Sequence, residues 1–261
     1  MISISINELS PEYDFLFAGA GCAALSLLHR MAGEGLLAGK RVLLVDADTK
    51  ERNDRTWCFW ERGAGPFETI VHHRWPRLDF HAAGFSRTLE LGAYSYKVIR
   101  GADFYRHCRS VLAVYPQVHF LQAPVTATGS EADAAWLEAA GRRIHAPWLF
   151  NSIYTKPALP QGKHWLLQHF KGWLIETPVP AFDPAKATLM DFRTGQEEGT
   201  TFVYVLPFSE RQALVEYTLF TGRLLPDNAY DAALDGYIRG RLGLKTYTVM
   251  EEEFGVIPMT N

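Results

Sequence analysis

Tyr13-Asp-Phe-Leu-Phe-Ala-Gly-Ala-Gly-Cys-Ala-Ala24 decides the fold. Its first half is a short apolar strand. Gly19 and Gly21 follow at once, and Leu25, Leu27, Leu28 and Met31 then recur at helical spacing. Lys40-Arg-Val-Leu-Leu-Val-Asp46 is a second strand, apolar through its middle as a parallel strand covered on both faces must be, and it ends in an acid. Strand, glycine turn, helix, strand and terminal acid together make a βαβ dinucleotide fingerprint. Gly19 permits the tight turn, Gly21 lets the backbone approach a pyrophosphate, and Ala24 is the small residue where helix and strand pack. N–H groups at the helix start attract phosphate, while Asp46 can accept hydrogen bonds from a ribose diol. A Rossmann-like unit with an empty crevice is the plainer reading of the same residues. The fingerprint lies at the extreme N-terminus, as in flavoproteins of this topology, and by that analogy FAD is favoured over NAD.

Working outward, Asn53-Asp-Arg-Thr-Trp-Cys-Phe-Trp-Glu61 is rich in aromatics that either line a pocket for a flat apolar ligand or fill core, and Asp54-Arg55 reads equally as a solvated ion pair. Arg77–Ala82 and Ser86–Leu91 alternate like the two strands of a hairpin turning at Gly84. Ala102–Leu112 has helical periodicity. Val118–Gln122 and Trp148–Asn151 look like further strands of the nucleotide sheet, with a small meander about Gly141 between them. After Asn151 the pattern becomes a succession of antiparallel strands: 165–170, 172–177, 187–192, 201–208 and 213–220. The expected fold class is α/β, a Rossmann-like nucleotide domain with an inserted, mainly antiparallel β-sheet that builds a substrate cavity.

That sheet carries Glu216, a lone carboxylate in Gln212-Ala-Leu-Val-Glu-Tyr-Thr-Leu-Phe220. Leu214, Glu216, Thr218 and Phe220 share one face of the strand. If both faces are covered, the charged form is disfavoured and Glu216 suits a general acid; otherwise it faces solvent or pairs with Arg193 or Arg223. Asp191 is a weaker second candidate, because it shares a face with Arg193 and an ion pair explains it.

Composition bounds the function. The 261 residues are 48% apolar, 13% aromatic and 21% charged, with a net charge of −3, which fits a globular chain and leaves no basic footprint for nucleic acid. Cys22, Cys58 and Cys108 have no paired spacing, so neither a disulfide frame nor a metal site is expected. Residues 1–12 lack the features of a signal peptide, and no eighteen apolar residues run uninterrupted. A nucleophile elbow, a P-loop and a zinc-protease motif are all missing, and His72, His73, His164 and His169 lack accompanying carboxylates.

The series Ala18-Gly-Ala-Gly21, Asp54-Arg-Thr-Trp-Cys-Phe-Trp60, Gln168-His-Phe-Lys-Gly-Trp173, Met190-Asp-Phe192, Phe202-Val-Tyr-Val-Leu-Pro-Phe208 and Val215-Glu-Tyr-Thr218 resembles the bacterial flavin-dependent lycopene cyclases, in order and over nearly the whole chain. The resemblance implies a glutathione-reductase-like FAD fold and acid-initiated closure of the linear ends of lycopene into β-ionone rings, giving gamma- and beta-carotene. Reduced FAD would take part without net redox change. It also implies that Gly19, Gly21 and Asp46, with Ala24 and Arg55 as further candidates, hold FAD, and that Glu216 is the essential acid. Trp57, Phe59, Trp60, Tyr204 and Thr218 become candidates for the carotene pocket. Such a hydrocarbon resides in the bilayer, so a cytoplasmic protein touching the inner membrane peripherally is expected.

On this reading residues 1–70 and 97–155 form the FAD-binding domain, 71–96 and 156–254 the substrate domain, and 255–261 the start of a return to the FAD domain. The family continues into a second glycine-rich segment past Gly255-Val-Ile-Pro-Met-Thr260, so either a truncated chain or a separate chain carrying the rest is expected, with both cofactor affinity and activity affected. Two other readings stay open: an FAD-dependent oxidoreductase acting on an isoprenoid, and a non-catalytic fragment.

Overall fold

A computed structural model describes residues 1–154 and 162–260. Along the chain, β1 (Ile2–Ile4) and β2 (Phe15–Ala18) precede α1 (Cys22–Gly33) and β3 (Val42–Asp46). Next come β4 (Thr56–Arg62), β5 (His73–Trp75), the hairpin β6 (Arg77–Ala82) and β7 (Phe85–Glu90), and β8 (Tyr94–Arg100). They lead into α2 (Gly101–Leu112), β9 (Val118–Gln122), the meander β10 (Val125–Ser130), β11 (Ala135–Ala139) and β12 (Arg142–Ala146), and β13 (Trp148–Asn151). The remainder is β14 (Trp165–Glu176), β15 (Lys186–Asp191), β16 (Thr200–Pro207), β17 (Gln212–Thr221), α3 (Asp227–Gly240) and β18 (Thr248–Thr260). The chain divides into two units, whose described residues are 1–56 with 100–154, and 57–99 with 162–260.

The first unit is built on a five-stranded sheet in the order β1-β9-β3-β2-β13, parallel throughout. Its centre is dry: Leu16, Phe17, Leu43, Leu44 and Val45 have no accessible surface, which accounts for strands that read as unbroken apolar runs. α1 buries Leu25, Leu28 and Met31, and α2 buries Phe104, Cys108 and Leu112, both at helical spacing. The meander covers the sheet with Leu137, Ala139, Ile144 and Ala146, packed with Leu16, Leu43 and Val45. Because β3 and β13 flank β2 on opposite sides, the end of β2 is a topological switch point, where open α/β sheets bind ligands.

The second unit holds a seven-stranded sheet in the order β18-β14-β17-β16-β15-β6-β7 and a three-stranded one, β4-β8-β5. One cluster sets Val203, Val205, Val215, Tyr217 and Leu219 against Tyr230, Leu234, Tyr237 and Ile238 of α3. Another gathers Leu206, Leu214 and Ala187 with Trp75, Tyr96 and Val98 of the smaller sheet, tied by the Trp75 indole N–H donating to the Pro207 carbonyl at 2.9 Å.

The units differ from expectation in several places. Residues 57–70 and 97–99 go with the second unit, because β4 joins β8 in the smaller sheet. The runs 165–170 and 172–177 are one strand, since β14 pairs with β17 without a break from Leu167 to Glu176. Residues 255–260, expected to start a return to the nucleotide unit, continue β18 along β14, with Gly255 opposite Phe170 and Thr260 opposite Trp165. The sheet is antiparallel except where β15 meets β6 in parallel. The expected domain limit at 155/156 and residue 261 lie outside the described residues.

Candidate functional site

The turn after β2 is made for close approach. Gly19 sits at φ +94°, and a Cβ there would lie 2.4 Å from Ser152 Oγ, so only glycine fits between β2 and β13. Its N–H donates to the Val45 carbonyl at 2.8 Å, fastening the turn to β3. A Cβ on Gly21, the N-cap of α1, would meet nothing within 4 Å, and no side chain caps the helix. The first-turn N–H groups therefore face open space and suit an anion. Ala24 is buried and lines a hollow of about 210 Å³ with Phe17, Phe150 and Ser152.

Asp46 has a structural task at the same place. Its two oxygens accept the N–H of Ala20 at 2.7 Å and of Asp48 at 2.8 Å, and Lys50 lies 3.7 Å away. Each oxygen keeps a lone pair for a further donor such as a ribose hydroxyl. Arg55 is exposed, and its guanidinium donates to the neighbouring Asp54 carbonyl at 2.6 Å. Its own carbonyl accepts the N–H of Gly101 at 2.8 Å, so Arg55 anchors the start of α2 through its backbone.

In the second unit, Glu216 occupies the middle of β17, with Tyr204 of β16 opposite on one side and Gly172 of β14 opposite on the other. The next residue along this row is Glu253 of β18, opposite Gly172 from the far side. Residues in one row across a sheet project from one face. Gly172 has no side chain to fill the gap, and the Glu216 and Glu253 side chains hydrogen-bond across it. Thr218 Oγ1 donates to Glu216 Oε1 at 3.1 Å.

Glu216 keeps some accessible surface but is densely surrounded, so it can be touched without being well solvated. Burial, and then the neighbouring Glu253, hold its carboxyl well above the usual range, only partly offset by the Thr218 hydrogen bond. Glu216 makes no ion pair among the described residues, and no lysine, arginine or histidine contributes to that shift. Lys171, beside Gly172, belongs to the other face and pairs with Asp231 and Glu252. Cys58 and Tyr96 complete the surroundings. Burial, moderated by a hydrogen bond with Tyr96 and reinforced by Glu216, pushes the Cys58 thiol up to about 12. Burial, with Glu216 and Cys58 adding to it, pushes Tyr204 up to about 12, and burial raises Tyr96. All these neighbours are neutral at ordinary pH, so the place is apolar, aromatic and able to keep a proton on a carboxyl.

Asp191 differs in every respect. Its oxygens accept Arg193 Nε at 2.8 Å, a second guanidinium nitrogen at 2.7 Å and the Tyr237 hydroxyl at 2.8 Å. Burial would raise its carboxyl, but the hydrogen bonds from Arg193 and Tyr237 outweigh it and hold the group below the usual range. It is a fixed carboxylate and not a proton donor, and it leaves the candidate site.

Thr218 and Tyr204 thus adjoin Glu216, whereas Trp57 and Phe59 lie on the opposite face of β4 from Cys58. Trp60 shares the Cys58 face, is 48% exposed, and packs against Tyr96 with the rings tilted by 47° and their centroids 5.0 Å apart. Glu253 and Gly172 were not legible as site residues. Glu253 is one of three consecutive glutamates, Glu251 to Glu253, which read as a solvated run; strand alternation, with Glu252 turned to Lys171 on the other face, is the signal that singles it out.

The lycopene cyclase protein family profile matches residues 14–261. A lycopene beta-cyclase of Pseudescherichia vulneris is 27% identical over 236 residues, covering 84% of this chain and 55% of that protein. One from a Paracoccus species is 28% identical over 269 residues, covering 95% of this chain and 61% of that protein. The chain therefore spans a little over half the length of these relatives. Among solved structures, the halogenase PltM in complex with phloroglucinol and FAD superposes with a TM-score of 0.65 at 10% identity, over 94% of this chain and 59% of that one, which shows a shared fold. With its profile match running from the nucleotide fingerprint to the last residue, the chain belongs to the lycopene cyclase family.

Proposed function

We propose that this chain closes the linear ends of lycopene, or a related acyclic carotene, into β-ionone rings without net redox change, with Glu216 as the proton donor. The observation that carries this is a carboxyl kept protonated in an apolar, aromatic setting within the strand Val215-Glu-Tyr-Thr218 of a lycopene cyclase family chain. Proton delivery from Glu216 to C2 of a terminal isoprenoid unit leaves a tertiary cation at C1. The C5=C6 π electrons then form the C1–C6 bond, and loss of the C6 proton leaves the C5=C6 bond of the β-ring. Such cations react with water, and the dense packing about Glu216 limits its access. The faces of Tyr96 and Tyr204 stabilise positive charge by their ring quadrupoles.

The residues present fit FAD. Gly19 and Gly21 leave the close approach that a pyrophosphate needs, the first turn of α1 offers its N–H groups, and Asp46 retains acceptor capacity for the ribose. Reduced FAD, when bound, would supply negative charge. PltM, of like fold, is described with FAD bound, in keeping with this reading. Contact with a membrane surface follows from the hydrocarbon substrate and not from a span: no helix among the described residues is long and apolar enough to cross a bilayer.

The test is co-expression with a lycopene-producing pathway, followed by pigment chromatography and mass analysis. The expected product has the mass of lycopene and cyclic ends, and Glu216→Gln lowers its formation by about 10²–10⁴-fold, the usual worth of a general acid. Glu216→Gln with full cyclisation removes the assigned role. A product differing by two hydrogens or one oxygen identifies a redox enzyme on an isoprenoid instead. Gly19→Ala is expected to abolish flavin retention, read by fluorescence of released flavin after gel filtration, because its Cβ would collide with Ser152.

A further inference from the structure

We propose that Glu253, reaching across the side-chain-free position Gly172, is the positioning residue that keeps Glu216 loaded with its proton, and that the two carboxyls form the pair to which the ring proton returns. This deepens, and rests on, the reading of Glu216 as proton donor. The geometry carries it. Glu253 and Glu216 stand two strands apart, roughly 10 Å from backbone to backbone at the usual strand spacing. A residue with a side chain at position 172 would separate them: a Cβ there would lie 3.0 Å from Glu253 Cγ, 3.2 Å from Glu253 Oε1 and 3.1 Å from Leu214 Cδ1. Gly172 shows no left-handed backbone that would call for glycine, so the space for the Glu253 side chain is what its missing Cβ provides.

Two carboxyls in hydrogen-bond contact need a proton between them, since two bare carboxylates repel and each offers only acceptors. Among the described residues, the groups facing the pair are Cys58 of β4, Tyr96 of β8, Tyr204 of β16 and Thr218 of β17, none of them a cation. Beyond burial, Glu253 is the group that selects the protonated form of Glu216.

Proton balance follows. Glu216 gives its proton to C2 and becomes a carboxylate beside a second carboxyl, an arrangement that regains a proton readily. After the C1–C6 bond closes, C2 and C6 are both bonded to C1, so the proton leaves close to where the first one arrived. The C6–H electron pair becomes the C5=C6 bond, and the proton returns to the pair. Each ring closure takes one proton and gives one back, with no oxidant or reductant consumed.

The test uses two independent readouts on the 261-residue chain. The first is infrared titration of the protonated-carboxyl band that Glu216→Gln removes. In Glu253→Gln, and separately in Gly172→Ala, that band is expected to vanish at lower pH than in the unaltered chain, while Glu253→Asp restores part of the difference. The second is the rate of cyclisation against pH. Glu253→Gln is expected to lose about tenfold or more at pH 8 and to recover on acidification, as an acid depleted of its proton does. A band and rate profile unmoved in both Glu253→Gln and Gly172→Ala overturn the pair. The infrared shifts appearing in a chain that cyclises nothing at any pH uphold the pair in the resting protein and reject the cyclase reading.

Discussion

At the scale of the residue, Glu216 and Asp191 show how surroundings divide two carboxyls of one sheet. Both are withdrawn from water, but Asp191 receives a guanidinium and a phenol, whereas Glu216 receives a threonine hydroxyl and another acid. Their protonation therefore runs in opposite directions. The consequence for stability can be signed. The native carboxyl of Glu216 is raised above its unfolded value of 4.5, so folding carries no penalty from it below that pH and an increasing one as pH rises toward the native value. Glu216→Gln removes the penalty. Its melting temperature is expected to exceed that of the unaltered chain by a margin that is small near pH 4.5 and grows toward pH 8, measured by thermal unfolding followed by circular dichroism. A constant difference across that range removes the assignment of Glu216 as a carboxyl held neutral.

At the scale of the element, helices cover the faces that the strands leave apolar. α3 lays Tyr230, Leu234, Tyr237 and Ile238 on the sheet, with Leu234 fully buried. Leu234→Ala is expected to cost about 2–5 kcal/mol of stability through lost contact and the cavity left behind. The urea midpoint reads that loss, and an unchanged midpoint rejects the packing described. Between α1 and α2, the ring nitrogens of His29 and His107 lie 3.1 Å apart in a hydrogen bond, which requires one of them to be an acceptor and hence neutral. Burial first, then His107 and Arg30, hold His29 below its ordinary value of 6.5. A histidine depressed in the fold contributes stability that is complete above the unfolded value and is lost as pH falls through it. Amide exchange in Cys22–Gly33 and Gly101–Leu112 is expected to quicken between pH 7 and pH 5 relative to the chemical rate, and His107→Phe to change that pH dependence.

At the scale of the whole molecule, the seven-stranded sheet ends in β18, whose outer edge has no partner strand among the described residues. Along its C-terminal half, Phe254, Val256, Ile257 and Met259 are between 39% and 44% exposed. A long apolar edge is a template for another strand. Self-association that rises with concentration is expected in sedimentation velocity, and Val256→Lys is expected to weaken it by placing a charge on the edge. Much of the architecture was legible. The βαβ start, the hairpin at Gly84 and the antiparallel strands each announce themselves by local period and turn residues, because those signals act over a few neighbours. The continuity of β14 was not legible because Lys171-Gly172 interrupts its apolar run as a turn would, and the course of β18 was not because its three glutamates and glycine read as loop until the partner strand is known.

The Rossmann-like fold, the family and the interest of Glu216 were open to reading along the chain, since alternation, apolar runs and glycine spacing are local and survive in one dimension. What Glu216 meets came from the packing of the strands. Glu253 lies 37 positions further along the chain and comes to it only because β18 and β17 flank β14 with Gly172 between them. Register across three strands depends on the whole sheet, and no local period encodes it. The same reason removed Asp191: its bond to Arg193 could be guessed from spacing, but the Tyr237 hydroxyl that completes its satisfaction arrives from a helix packed on the other side.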